Sequence, residues 1–158
     1  MARRVFFSFH YDQDLSRMWN VRNSGQFKRA VGRSENARLF LPRDRWETVK
    51  RSGDRAIKAW IDEGLQYSGV TVVCIGQYTY QRKWVRYEIE ESDRQNMGII
   101  GVRIHGLRDW KQQLGVRGPN PFDYVSTSKS YRTYDWVSDR GYDNFSDWVE
   151  QAAIDVGR

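Results

Sequence analysis

Two short apolar runs, separated by one segment of helical length, restrict the fold of this chain more than any other feature. Val70–Ile75 and Ile99–Ile104 consist mainly of β-branched and aliphatic residues, which is typical of strands buried on both faces. The segment between them, Thr79 to Asn96, is long enough for one helix that carries the chain back along the sheet. A strand–helix–strand unit of this kind predicts two parallel strands joined by a right-handed crossover.

The same alternation continues toward the N-terminus. Val5–Phe9 is a third apolar run, and the spacing of apolar residues predicts helices over about 12–23, with Asp12 as the N-cap, and over 54–66. A further short strand is predicted at Ala37–Leu41. We therefore predict an α/β fold, a three-layer sandwich of flavodoxin-like topology with a central, mainly parallel sheet.

The last third of the sequence is less regular. Residues 107–143 are rich in Gly, Pro, Asp, Tyr and Ser, and they predict irregular structure with one short helix near Leu107–Leu114. A final helix is predicted over about 144–156. A chain of 158 residues with 39% hydrophobic residues fits a single domain, and we place its core at about 4–106.

Composition and motifs exclude several functional classes. The single cysteine, Cys74, rules out a disulfide framework and a cysteine-built zinc site, and the histidines at 10 and 105 lack metal-ligand spacing, so no metal is expected. No apolar stretch reaches the roughly 18 residues of a membrane helix, and no signal peptide is recognisable, which predicts a cytoplasmic protein. The sequence also has no P-loop, glycine-rich dinucleotide turn or nucleophile elbow.

The net charge of +6 is unevenly distributed, with +8 in residues 1–60 and −2 in residues 61–158. A basic half suggests an anionic partner, although a solvated surface explains it equally well. One alternative is nucleic acid. Because the basic residues interleave with helix-forming segments and match no nucleic-acid-binding motif, we do not expect that partner.

The residues that follow the first and central strands are the first candidates for a site, because ligands of such sheets bind beyond the carboxyl ends of the strands. Four of them come directly at the end of the first strand: Ser8, Phe9, His10 and Tyr11. In the helix after the central strand, Trp84 and Glu88 are four residues apart and share a face. A partly desolvated carboxylate beside an indole suits stabilisation of a developing cation or orientation of sugar hydroxyls. The alternative is a surface glutamate in an acidic helical stretch.

Four sequence blocks occur in this chain in a characteristic order. They are VFFSFHY at 5–11, NVRNS at 20–24, WVRYEI at 84–89 after Thr79, and IIGV at 99–102. Together they resemble the TIR-like proteins of bacterial Thoeris antiphage defence, the ThsB type, over roughly residues 4–106. Arg82 departs from that pattern, which has a small residue between Thr79 and Trp84.

The resemblance implies a TIR fold and an enzyme that cleaves NAD at the nicotinamide–ribose bond. Such enzymes make a cyclic ADP-ribose isomer that activates a separate effector protein, so NAD is expected as the substrate and no cofactor is expected. The catalytic glutamate of the family corresponds to Glu88. The alternative functions are a non-catalytic TIR-like interaction module and a nucleotide sensor, and self-association is a further expectation.

Substrate-binding roles follow from the same resemblance. Phe9 and Trp84 are expected to form apolar walls for nicotinamide or adenine, although both also fit a hydrophobic core. The polar groups expected beside them belong to Ser8, His10 and Tyr11. Arg22 or Asn23 is expected to reach the diphosphate, with a solvated charge on the helix surface as the alternative for Arg22.

Overall fold

The computed structural model of the protein describes residues 2–32, 37–38 and 43–158, with backbone only for 37–38 and 43–46. Helices and strands alternate along these residues. In chain order they are β1 Val5–Ser8, α1 Tyr11–Arg22, α2 Gly25–Val31, β2 Ala37–Arg38, α3 Arg43–Arg51, α4 Asp54–Gln66, β3 Val70–Ile75, α5 Lys83–Arg94, β4 Gly98–Arg103, β5 Arg132–Asp135 and α6 Gly141–Asp155.

The five strands form one sheet in the order β2-β1-β3-β4-β5. All neighbouring strands in it are parallel, with Val5 opposite Val70 and Val70 opposite Gly98. This is the strand order of flavodoxin-like folds. The predicted fold class is therefore confirmed.

Helices cover both faces of the sheet and make it the middle of three layers. Successive side chains of β1 point to opposite faces. Phe7 packs against Phe27 of α2 and Phe145 of α6, at ring-centroid distances of 5.7 and 6.2 Å. Phe6 packs on the other face, 6.2 Å from Trp60 of α4. Both faces of β1 are thus buried, as its apolar sequence predicts.

Several predicted elements match the structure closely. The bounds of α4 and β3 are as predicted. β1 ends one residue earlier than predicted, and β4 both begins and ends one residue earlier than predicted. The final helix begins at Gly141 rather than at about residue 144. Of the predicted strand Ala37–Leu41, Ala37–Arg38 forms β2, and residues 39–41 lie outside the described residues.

The prediction of Asp12 as the N-cap of the first helix is wrong. His10 occupies that position, and its Nδ1 accepts a hydrogen bond of 3.2 Å from the backbone N–H of Gln13. Asp12 lies in the first turn, where a carboxylate interacts favourably with the positive end of the helix dipole.

The prediction of one continuous helix from about Thr79 to Asn96 is also wrong at its start. A short 3-10 helix covers Thr79–Gln81, Arg82 is extended, and α5 begins at Lys83. The turn is fixed by buried Thr79, whose Oγ1 accepts a 2.8 Å hydrogen bond from the N–H of Gly76. Because this bond ties the segment to the end of β3, the chain makes a separate turn before the helix begins.

The predicted short helix near Leu107–Leu114 is replaced by a tight loop closed by a bridge between Arg108 and Leu114. Its organising group is Asp109, whose Oδ1 accepts 2.9 Å hydrogen bonds from the N–H groups of Lys111 and Gln113. Such side-chain bonds to nearby backbone compete with helix formation.

Strand β5 was not predicted, since residues 107–143 were interpreted as irregular. Its sequence, Arg-Thr-Tyr-Asp, is mostly polar, and its residues are exposed or half-buried. It is held in place by Tyr134, which stacks on Trp148 of α6 at a centroid distance of 4.3 Å. Among the residues that the structure describes, no helix is long and apolar enough to span a bilayer.

Candidate active site at the carboxyl ends of β1 and β3

A narrow cleft opens where β1 and β3 end, between the sheet and the starts of α1 and α5. In the sheet, β1 lies between β2 and β3, so the connections that follow β1 and β3 run in opposite directions from this point. Ligands of such sheets bind at this topological switch point. The side chains that line the cleft come from β1 and the residues after it, from α4 and from α5: Phe7, Phe9, Tyr11, Trp60, Ile61, Arg82, Trp84, Val85 and Glu88.

Glu88 is the acidic side chain in this lining. It lies on the second turn of α5 and is only 7% exposed. Val85 and Ile89, on the adjacent face of α5, are buried against the sheet and hold the helix so that Glu88 faces the cleft. Burial raises the pKa of Glu88 well above its usual range, because desolvation penalises the ionised form.

Ser8 is the polar neighbour of this carboxyl group. It is fully buried at the end of β1. Its hydroxyl lies close enough to favour ionised Glu88 and so to oppose the rise of its pKa. No hydrogen bond of regular geometry reaches Ser8 Oγ from the described residues, so this hydroxyl retains bonding capacity.

Aromatic rings form the walls of the cleft. Phe9 stacks on Tyr11 with centroids 4.4 Å apart, and both rings are largely buried. Trp84 packs edge-on against Tyr87 at 5.8 Å, and the Lys83 ammonium lies 4.8 Å from its ring centroid. Phe9 and Trp84 therefore have two roles: they pack against the hydrophobic core, and they line the cleft.

His10 lies beside the cleft without lining it. Its Nδ1 is engaged in capping α1. Burial lowers the pKa of His10, and the positive charge of Arg82 lowers it further. A neutral imidazole agrees with a ring nitrogen that accepts a backbone hydrogen bond.

The structure does not bring Arg22 and Asn23 to the cleft. α1 starts at the cleft and runs away from it over 12 residues, which is roughly 18 Å at 1.5 Å per residue. Arg22 lies at the last position of this helix, with its guanidinium 4.8 Å from the ring centroid of Trp19. Asn23 is the C-cap.

Five residues of the lining were not proposed as site residues from the sequence: Phe7, Trp60, Ile61, Arg82 and Val85. Trp60 was assigned to the apolar face of a helix, and Arg82 was noted only as a departure from the family pattern. Both reach the cleft because α4 and α5 pack on the same face of the sheet. The presence of a charged residue where a small one is expected is the signal that points to Arg82.

The cleft is narrow in this structure. Its volume is about 440 Å³ when space open to solvent is included, whereas water molecules can be centred in only about 30 Å³ of it. A dinucleotide therefore requires the side chains at the mouth to move apart. Within the described part of the chain, no three His, Cys, Asp or Glu side chains gather as a metal site.

Comparison with known proteins agrees with this architecture. The family model described as "Thoeris protein ThsB, TIR-like domain" matches residues 6–109, which include all of β1 except Val5, together with β3, α5 and Glu88. A curated relative from Bacillus cereus (strain MSX-D12), named "Putative cyclic ADP-D-ribose synthase ThsB1", is 34% identical over 195 aligned positions, covering 94% of this chain and 100% of that protein. The chain thus belongs to the TIR-like domain family of the Thoeris protein ThsB.

Proposed function

We propose that this protein consumes NAD, cleaves its nicotinamide–ribose bond and makes a cyclic ADP-ribose-type signal molecule for a separate effector in antiphage immunity. The observation that carries the proposal is the buried carboxyl group of Glu88 in an aromatic cleft at the switch point of the sheet. The family membership and the name of the Bacillus cereus relative support the same reaction. NAD is the substrate, and the proposal needs no cofactor.

Bond cleavage requires stabilisation of a positive charge. When the bond between the ribose anomeric carbon and the nicotinamide nitrogen breaks, the electron pair leaves with nicotinamide, and the ribose becomes an oxocarbenium-like cation. A carboxylate beside that carbon offsets the charge. Burial favours the protonated form of Glu88. The positive charge of the bound nicotinamide ring favours ionisation, so substrate binding itself prepares the catalytic state.

Ring closure then competes with hydrolysis. A nucleophilic atom of the remaining ADP-ribose attacks the anomeric carbon and loses a proton, which Glu88 is suited to accept because of its raised pKa. Attack by water instead gives linear ADP-ribose. The walls formed by Phe9, Tyr11 and Trp84 exclude water from the reacting carbon and favour closure. In this mechanism the Ser8 hydroxyl orients the carboxylate or a ribose hydroxyl.

The decisive experiment compares the wild-type protein with Glu88→Gln. Each is incubated with NAD, both purified and in lysate of phage-infected cells, and the products are identified by mass spectrometry. We expect the wild type to release nicotinamide and a product one water lighter than ADP-ribose. Glu88→Gln should reduce nicotinamide release by at least about 100-fold, as expected for loss of a catalytic carboxylate.

The matched control is Glu90→Gln, an exposed glutamate on the same helix, which should leave the rate unchanged. Equal rates for wild type and Glu88→Gln would contradict the proposal. If the wild type binds NAD but never consumes it in either setting, the protein is a nucleotide sensor or a non-catalytic interaction module. Self-association stays a prediction, and sedimentation of the protein with and without NAD tests it.

A further inference from the structure

Two cationic side chains meet at the mouth of the cleft on a single carboxylate. Lys50 Nζ, near the end of α3, lies 3.4 Å from Asp12 Oδ2. Arg82 Nη2, from the residue before α5, lies 4.0 Å from the same oxygen. Asp12 belongs to the first turn of α1. Residues from three separate elements thus converge at one edge of the cleft, and their formal charges sum to +1.

These charges are accessible to a ligand. The side chains of Arg82, Lys50 and Asp12 are 37%, 42% and 39% exposed. At 4.0 Å the contact between Arg82 and Asp12 is longer than a hydrogen bond. The Arg82 guanidinium donates no hydrogen bond to another described residue, and its planar fork of N–H donors matches a bidentate contact with phosphate oxygens.

The start of α5 adds to the positive potential. Arg82 is its N-cap, and no described side chain caps the first N–H groups of this helix. Arg82, Trp84 and Val85 line the cleft, so the helix begins at its edge. The positive end of the helix dipole and the charge of Arg82 therefore act on the same region.

We propose that Arg82, assisted by Lys50, forms the subsite that binds the diphosphate of the dinucleotide. This inference rests on the proposed function and extends it to the part of the substrate remote from the reacting bond. Arg82 and Glu88 are six residues apart along α5, or roughly 9 Å along the helix axis. That span is comparable with the length of a ribose and its attached phosphates. The subsite also takes over the role expected of Arg22 and Asn23, which lie at the far end of α1.

Binding of ADP-ribose tests this subsite independently of catalysis, because ADP-ribose carries the diphosphate but has no nicotinamide to release. Calorimetric titration would compare the wild type with Arg82→Ala, Arg82→Lys and Arg86→Ala. We expect Arg82→Ala to weaken ADP-ribose binding at least 10-fold and Arg82→Lys to recover part of the loss. Arg86, one turn further along α5 and outside the cleft lining, is the matched control and should change affinity less than twofold.

Two further readouts separate phosphate binding from a general disturbance of the cleft. Adenosine, which lacks phosphate, should bind wild type and Arg82→Ala equally. The salt dependence of ADP-ribose binding should be weaker in Arg82→Ala, because one cationic contact is lost. With NAD as substrate, Arg82→Ala should raise KM with little change in kcat, since Arg82 does not touch the reacting carbon.

The inference is overturned if Arg82→Ala binds ADP-ribose as tightly as the wild type, if adenosine affinity falls by the same factor, or if the wild type does not bind ADP-ribose. If the protein binds ADP-ribose through Arg82 but never cleaves NAD, the proposed subsite stands and the proposed enzymatic function is refuted. The two proposals therefore fail separately.

Discussion

Glu88 of α5 and Asp14 of α1 are buried carboxyl groups, and burial raises the pKa of both. Asp14 is 1% exposed and pairs with Arg17, whose Nη1 lies 3.4 Å from Asp14 Oδ1. Burial outweighs this partner and raises the pKa of Asp14 to about 6. When the pKa of a buried acid is higher in the folded protein than in the unfolded chain, the stability of the protein falls as the pH rises between these two pKa values.

Replacement of Glu88 by Gln is expected to stabilise the protein while it removes activity. The folded-state pKa of Glu88 is raised, so ionisation costs stability above about pH 4, the ordinary pKa of a glutamate. Glutamine fills the same space without ionising. The melting temperature of Glu88→Gln should exceed that of the wild type by a few degrees at pH 8 and match it at pH 4. Glu90→Gln serves as the control, and a lower melting temperature for Glu88→Gln at pH 8 would contradict the expectation.

Asp14→Asn tests the second buried carboxyl group through the slope of stability against pH. Because the pKa of Asp14 is about 6 in the folded protein, the free energy of unfolding of the wild type should fall between pH 4 and pH 7. Relative to Asp14→Asn, the fall should be on the order of 2–3 kcal/mol. Urea unfolding of both proteins at intervals of pH measures it. Parallel curves for the two proteins would show that Asp14 does not titrate in this range.

Individual site residues were predictable to the extent that their positions follow from local geometry. Glu88 and Trp84 share a helix face by spacing, and Ser8 lies at a strand end, so the sequence alone predicted that they lie at the switch point. Arg82 and Trp60 were missed because which side chains of different helices meet depends on packing. Arg22 was misplaced because the direction of α1 takes its end away from the cleft.

Among the secondary-structure elements, the most reliable predictions concerned those whose sequence pattern is strong over their whole length. β3 is uncharged and mostly β-branched, and α4 has a regular apolar stripe, so both were predicted with correct bounds. β5 is short and polar and is stabilised by contacts with α6, which local sequence does not encode. The start of α5 follows a turn that is held by the hydrogen bond between Gly76 and Thr79, a contact that the apolar spacing of the helix does not reveal.

The packing of α6 on β4 depends on a glycine at the start of that strand. A Cβ at Gly98 would lie 2.6 Å from the carbonyl oxygen of Ala152, so the backbone of α6 would have to move. Gly98→Ala should therefore lower the free energy of unfolding by about 1–3 kcal/mol in chemical denaturation. Gly25→Ala is the control, since a Cβ there meets nothing within 4 Å. Equal stability of Gly98→Ala and wild type would show that α6 adjusts without cost.

For the whole molecule, the sheet is complete only with the C-terminal third of the chain. The family model matches residues 6–109, whereas β5 and α6 lie beyond them. Trp136 and Phe145, from this last part, are fully buried in the same cluster as Val5 of β1. The prediction of a single domain over 1–158 implies that the two parts fold as one unit.

A fragment of residues 1–109 should accordingly fail to fold cooperatively. Because the fragment lacks β5 and α6, the apolar residues of β4 that face α6, including Ile100 and Val102, are exposed in it. Thermal unfolding followed by circular dichroism, together with the dispersion of amide NMR signals, would compare the fragment with the full chain. We expect a sharp transition only for the full chain. A cooperative transition in the fragment would show that residues 1–109 form an independent domain.

The pairing of β1 with β3 also determines how long β1 must wait for its partner during synthesis of the chain. Val5 pairs with Val70, so 65 residues separate the two partners. At roughly 5–20 residues per second, β1 is synthesised about 3–13 s before its partner exists. During that interval β2 can already pair with one edge of β1, but the edge that pairs with β3 stays open, a state prone to aggregation. The strand order that opens a crevice beside β1 thus leaves one edge of this apolar strand exposed until β3 has been synthesised.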